Sequence, residues 1–209
     1  MSKFLAPIHG WLFNKILILE TIEKELVNEL NSKPLVEKHD ALLEAYGQYI
    51  PDQPLAEIID QSNIHGWLQK RITIAETRQA AFVNELILDN HNAVEAIMNV
   101  YRKVGVSIAK EAKLQIDDPT ELFNALNNVL LEGMPCDRVN AVVEQNGQKI
   151  IWKTQNCVHK TNWETGGTDV GYFYKFREAF TGGFVQTVNG DFNYSYTFED
   201  EQVHEITRK

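Results

Sequence analysis

Cys157-Val158-His159 is the pair of residue types in this chain best suited to chemistry. On a β-strand, positions two apart project to the same face, so a thiol and an imidazole placed there are neighbours. Such a pair can work as a thiolate nucleophile with its base, or as half of a zinc site. Read as an enzyme, the chain uses Cys157 as nucleophile or ligand and His159 as base. The plainer reading, a half-buried cysteine beside a surface histidine, is the favoured one. Cys136 and His204 are further residues of ligating type, but their spacing is not diagnostic. The sequence therefore assigns no metal site and names no cofactor.

Two other groups invite chemistry. Trp152, Phe173, Phe176, Phe180, Phe192, Tyr194 and Tyr196 form an aromatic wall, of which Trp152, Phe173, Phe176, Tyr194 and Tyr196 are the candidate ligand-binding residues. Aromatics at strand and helix spacing are usually core, yet they also suit a pocket for a small planar or apolar molecule. His9 and Glu20 recur as His65 and Glu76, on stripes that are otherwise largely apolar. A carboxylate on such a stripe needs a partner, and two related by symmetry could share a metal. Against this, eleven residues of helix separate the histidine and glutamate of each copy by some 16 Å at the standard rise. No phosphate-binding glycine loop or serine elbow is present.

These residues are positioned by two kinds of sequence. Ile8-His9-Gly10-Trp11-Leu12 returns as Ile64-His65-Gly66-Trp67-Leu68, and the match continues in step through Val27-Asn28-Glu29-Leu30 and Val83-Asn84-Glu85-Leu86. This is an internal duplication. Ile8, Leu12, Ile16, Leu19, Ile22 and Leu26 recur at three- and four-residue steps, which predicts a long amphipathic helix. Asn31 to Pro34 breaks it, and a shorter helix over 35–46 follows. The second copy repeats the scheme, so two helical hairpins make a four-helix arrangement across 1–115. A connector spans 116–138, its helix capped by Asp118 and opened by Pro119.

Past Pro135 the apolar period shortens from helical to alternating. Strands over 139–145 and 148–159 flank Asn146-Gly147, a strong hairpin signal, with Val143 opposite Ile150, Ala141 opposite Trp152 and Glu144 opposite Lys149. A helix over 169–180 is expected to stop at Gly182-Gly183, and Asn189-Gly190 to join strands over 184–188 and 191–198. The charged tail from Glu199 is expected to fray or to extend the edge. The predicted class is α+β: duplicated helical hairpins followed by an antiparallel ββαββ sheet over 139–209.

From Val139 to Phe198 this order resembles the vinyl-reductase-like small-molecule-binding domains and their relatives, the L-2-amino-thiazoline-4-carboxylic acid hydrolase family. The matching stretches are Asn156-Cys157, the run Glu178-Ala179-Phe180-Thr181-Gly182-Gly183-Phe184, and Gly190-Asp191. Of that family's cysteines only Cys157 carries over. The resemblance implies a small-molecule pocket.

Composition excludes some partners. Twenty Lys and Arg stand against 29 Asp and Glu, a formal charge of −9, with no basic block. Nucleic acid and anionic membranes would be repelled on average. Two cysteines are not a disulfide framework, and the apolar N-terminus, interrupted by His9, Asn14 and Lys15, does not read as a signal peptide. The expectation is a cytoplasmic small-molecule-binding protein with its pocket between the helical half and the aromatic sheet. A hydrolase of a small amide-like or thiazoline-like substrate, or a protein that dimerises through the sheet or the helical stripe, are the alternatives.

Overall fold

Three helices open on a proline, at Pro7, Pro34 and Pro119, where the missing amide hydrogen costs nothing. Side chains cap others: Asn63 accepts from Gly66 N, Asp118 from Thr120 N and Glu121 N, and Asp169 from Gly171 N. The computed structural model describes residues 5–30, 32–90, 92–198 and 201–209. Among these the helices are α1 (Pro7–Glu29), α2 (Lys33–Tyr46), α3 (Leu55–Ile58), α4 (Ile64–Asp89), α5 (Ala93–Ala112), α6 (Pro119–Asn127), α7 (Lys160–Thr165) and α8 (Val170–Val188). Strands β1 (Asn140–Gln145), β2 (Lys149–Thr154), β3 (Phe192–Phe198) and β4 (Gln202–Arg208) form one antiparallel sheet in the order β1-β2-β4-β3. The chain is α+β, with its sheet at the C-terminal end.

Helix α4 lies at the centre. From Ala75 to Val83 every residue is buried, including Glu76, Thr77, Arg78 and Gln79, because α1, α2, α5 and α7 surround it. A helix enclosed on all sides normally reads as apolar all round. Here its polar residues are retained and must find partners inside. The equivalent histidines of the repeat meet where α1 and α4 begin, with His9 Nε2 and His65 Nε2 3.2 Å apart.

Helix α8 runs along α5, and their backbones nearly touch. A Cβ built on Gly105 would stand 2.3 Å from the Phe180 carbonyl oxygen, and one on Gly183 2.7 Å from that of Arg102. Gly182-Gly183 therefore does not end the helix as expected; it is part of a close crossing, and residues 184–188 are helical rather than a strand. Phe173, Phe176 and Phe180 share a core with Leu26, Val83, Ile97 and Tyr101, so the expected boundary at 138 falls inside one continuous packing unit. The other side of α8, with α6, covers the sheet through Phe184, Val185, Leu122 and Leu126 against Ile150, Trp152, Phe192 and Ile206.

The sheet corrects three further expectations. Asn189-Gly190 is the exit from α8 and not a hairpin turn, since the Asn189 amide still bonds Val185 O at 3.1 Å. The final hairpin is β3–β4, and β4, drawn from the charged tail, sits between β2 and β3. The first hairpin is shifted: Gln145 pairs with Ile150 and Glu144 with Ile151, and a bulge at Val143 brings Val142 opposite Trp152. Ile150 and Trp152 face the core as the alternation predicts, while Val142 and Val143 are exposed on the edge. The Glu144–Lys149 ion pair forms across the turn at 2.9 Å.

Replacing Gly105 by alanine forces α5 and α8 apart. The clash is with backbone, so relief by a side-chain rotation is excluded, and overpacking of this kind costs about 1–3 kcal/mol. The Gly105→Ala protein is expected to melt several degrees below the wild type in a calorimetric scan. An unchanged or higher melting temperature would show that the helices do not cross so closely.

Candidate functional site

The structure does not make neighbours of Cys157 and His159 on a strand. β2 stops at Thr154, where Gln155 N bonds Val139 O at 2.7 Å, and the chain then turns into α7. Cys157 is exposed in that turn. His159, the residue before α7, has no solvent exposure. Its ring nitrogens are engaged elsewhere: Nδ1 lies 2.7 Å from Glu76 Oε1, and Nε2 lies 3.2 Å from Arg177 Nη1 and 3.4 Å from Glu132 Oε2.

The aromatic candidates are divided as well. Trp152 stacks on His204 with centroids 5.0 Å apart and planes at 5°. The Tyr194 hydroxyl is 2.8 Å from His204 Nδ1, and the Tyr196 ring lies 4.9 Å from the imidazole. These three enclose a histidine, whose pKa burial and then Arg177 push down to about 4, so it is neutral. Phe173 and Phe176 belong to the helical core, with Phe173 4.2 Å from the ring of His159.

The residues that the fold does bring together are Glu76 from α4, Glu132 after α6, His159 and Asn162 at α7, and Arg177 from α8. Arg177 Nη2 donates to Leu131 O at 2.6 Å and pairs with Glu132 Oε1 at 3.0 Å. Asn162 Nδ2 donates to Glu76 Oε2 at 2.7 Å. The sharp turn that presents Glu132 depends on Gly133, whose φ of +64° suits glycine and whose Cβ would strike Asp137 Oδ2 at 2.6 Å. Burial, and to a lesser degree the neighbouring Arg177, would drive the imidazole of His159 toward neutrality, but Glu76 and Glu132 outweigh both and raise its pKa to about 9. Desolvation opposes ionisation of Glu132 too, yet Arg177 and then His159 hold its carboxyl down at about 2. Two carboxylates thus face an imidazolium and a guanidinium, and the four charges cancel.

Lys15 stands beside this cluster. It is 3% exposed, and its Nζ lies 3.4 Å from the centroid of the Trp11 ring. Among the described residues no hydrogen bond or ion pair engages it. Desolvation lowers its pKa to about 7, with Glu132 pulling up and Arg177 pushing further down. On one side it lines a small apolar cavity of about 40 Å³ with Leu19, Ile22, Phe173 and Phe180. On the other it lines a surface pocket of about 280 Å³ with Trp11, Glu132, Met134, Arg138 and Asn140. An uncharged amine in such a wall is available as a nucleophile or as a proton acceptor.

Glu20 and Glu76, considered above as shared metal ligands, have separate partners. Glu20 accepts from Ile50 N at 2.9 Å and pairs with Arg71 at 3.0 Å, while Arg78 clasps Glu23 at 2.8 and 3.0 Å. Among the described residues no group of three or more His, Cys, Asp and Glu is placed to hold a metal ion. The repeat accounts for the isolation of Lys15. At the offset of 56 that relates His9 to His65, Lys15 corresponds to Arg71 and Glu20 to Glu76. Arg71 binds the glutamate of the other copy, but the matching partner of Lys15, Glu76, is taken by His159 and Asn162.

Lys15, Glu132 and Arg177 were absent from the candidates drawn from sequence. For two of them a signal exists: Lys15 is three residues after Leu12 and four before Leu19, and Arg177 is four after Phe173 and three before Phe180. A cation on an apolar stripe is as notable as a carboxylate. Glu132 lies outside any periodic pattern.

The two shifted cations have opposite effects on stability. His159 is raised from 6.5 to about 9, so its contribution is complete below pH 6.5 and is lost as pH rises to 9. Lys15 is lowered from 10.5 to about 7, so its burial penalty is complete below pH 7 and fades as pH rises to 10.5. In urea titrations Lys15→Met should lose stability between pH 7 and 9, and His159→Gln should gain it. The wild type should be flatter than either. Three parallel profiles would contradict these assignments.

No family model, curated protein or solved structure matches this chain, so its chemistry rests on the residues described above.

Proposed function

We propose that the protein binds a small carboxylate in the pocket between α1 and the segment from Asn127 to Asn140. The observation that carries this reading is Lys15, a buried amine with no hydrogen bond or ion pair among the described residues, in the wall of a pocket of about 280 Å³. Arg138 lines the same pocket, is exposed, and has no ion-pair partner among the described residues. Glu132 offsets these groups only in part, because it is shared with Arg177 and His159. An arriving anion therefore meets the charge of Arg138, joined below pH 7 by that of Lys15, despite the acidic chain. Trp11 and Met134 supply apolar wall for the rest of a short-chain acid.

This site is not the aromatic wall expected from sequence, though it lies where the helical half meets the start of the sheet region. Among the described residues no helix is long and apolar enough to cross a membrane. Cys136 and Cys157 are exposed and unpaired, which accords with a reducing, cytoplasmic setting.

Lactate is a suitable probe, observed through the Trp11 indole N–H, which donates to Asn128 Oδ1 at 2.9 Å. Adding lactate should shift that resonance, and binding should tighten as pH falls from 8 to 6 because Lys15 then gains its proton. Arg138→Gln should weaken binding about tenfold, the equivalent of about 1.4 kcal/mol for a charged hydrogen bond. Lys15→Met should abolish the pH dependence. If concentrated lactate leaves the Trp11 signal unmoved at both pH values, the carboxylate reading fails.

A further inference from the structure

We infer that Lys15 forms an imine with a carbonyl carbon of the pocket's ligand, which makes the substrate class a short 2-oxo acid or aldehyde acid. The inference deepens the carboxylate reading above and rests on it. Three features of the geometry support it. The amine is held on the Trp11 face and no carboxylate of the described residues pairs with it, so its lone pair need not be freed from an ion pair. It lines an open pocket that a ligand can enter, with a cation, Arg138, on the same wall to hold a carboxylate. Behind it, Ile18, Leu19, Phe173 and Phe180 line a cavity of about 40 Å³, which has room for a few water molecules or a short apolar group.

The step balances without any oxidant. The Nζ lone pair adds to the carbonyl carbon, and the oxygen takes a proton from solvent in the open pocket to give a carbinolamine. Nitrogen then gives up one proton to solvent, the carbinolamine hydroxyl takes one up, and water leaves as the C=N bond forms, with one proton kept on nitrogen. The protonated imine is a cation where the free amine was neutral. Glu132, the carboxylate of the same pocket, favours that charge and acts as a positioning residue. The iminium is an electron sink for bond changes at the neighbouring carbon.

The test is reductive trapping with pyruvate and sodium borohydride, followed by intact mass and peptide mapping. One carboxyethyl group on Lys15 is expected at low pyruvate, ahead of every other lysine. The trapping rate at Lys15 should rise through pH 7 and level off, whereas surface lysines continue to gain reactivity toward pH 10. Lys15→Met removes a desolvated amine and keeps side-chain volume, so it should fold; it should lose the adduct, and Lys15→Arg should bind lactate but trap nothing. If lactate shifts the Trp11 resonance while pyruvate leaves Lys15 unmodified, the imine is wrong and the carboxylate site stands. If neither acid binds, both are overturned.

Discussion

Charge balance in a dry interior is the constraint from which the rest of this structure follows. Glu76 and Glu132 face the imidazolium of His159 and the guanidinium of Arg177, and that account closes at zero. Among the described residues a fifth charge has no ion-pair partner. Lys15, buried against Trp11 with Arg177 nearby, relieves the surplus by giving up its proton near neutrality. A buried ammonium without a carboxylate costs several kcal/mol, and shedding the proton is the cheaper outcome.

The same balance explains how distant parts of the chain are tied together. On one flank of α4, Arg71 and Arg78 match Glu20 and Glu23 and fasten the loop after α2 through Gly47 O, Gln48 O and Ile50 N. On the other flank, Glu76 and its partners fasten α7, α8 and the segment after α6. Such networks add little net stability over a well-packed apolar core, but removing one member leaves the others uncompensated and is costly. Their effect is to fix which surfaces meet. The sequence repeat makes Glu20 and Glu76 equivalent positions. The C-terminal segment engages Glu76, and among the described residues Lys15 has no ion pair to match that of Arg71.

Much of this was legible in the sequence. The long helices, their caps, the first hairpin and the change of period near Pro135 all follow from local pattern, which backbone preference and one-sided burial enforce. Local pattern failed where a contact from elsewhere decided the outcome. Gly182-Gly183 resembles a helix stop, but the press of α8 on α5 gives small residues another use. The charged tail resembles a frayed end, but β2 and β3 supply ladders on both its sides. Cys157 and His159 resemble strand neighbours only if the strand continues, and it ends at Thr154. His159 was singled out for its imidazole, and the structure retains it at the centre with carboxylate partners instead of a thiol. Lys15 is not legible as a site from local pattern, because a lone lysine among leucines ordinarily reaches to solvent.

The ionisation of Lys15 is the point at which the whole account is exposed, and it can be read directly. Lysine labelled with carbon-13 at the ε position gives one resonance per residue, assigned to Lys15 by its absence from a Lys15→Met sample. The account predicts that this resonance titrates with a midpoint of about 7, apart from the other lysines. A midpoint near the ordinary 10.5 would place the amine in contact with water or a carboxylate, and the charge balance described here would be wrong.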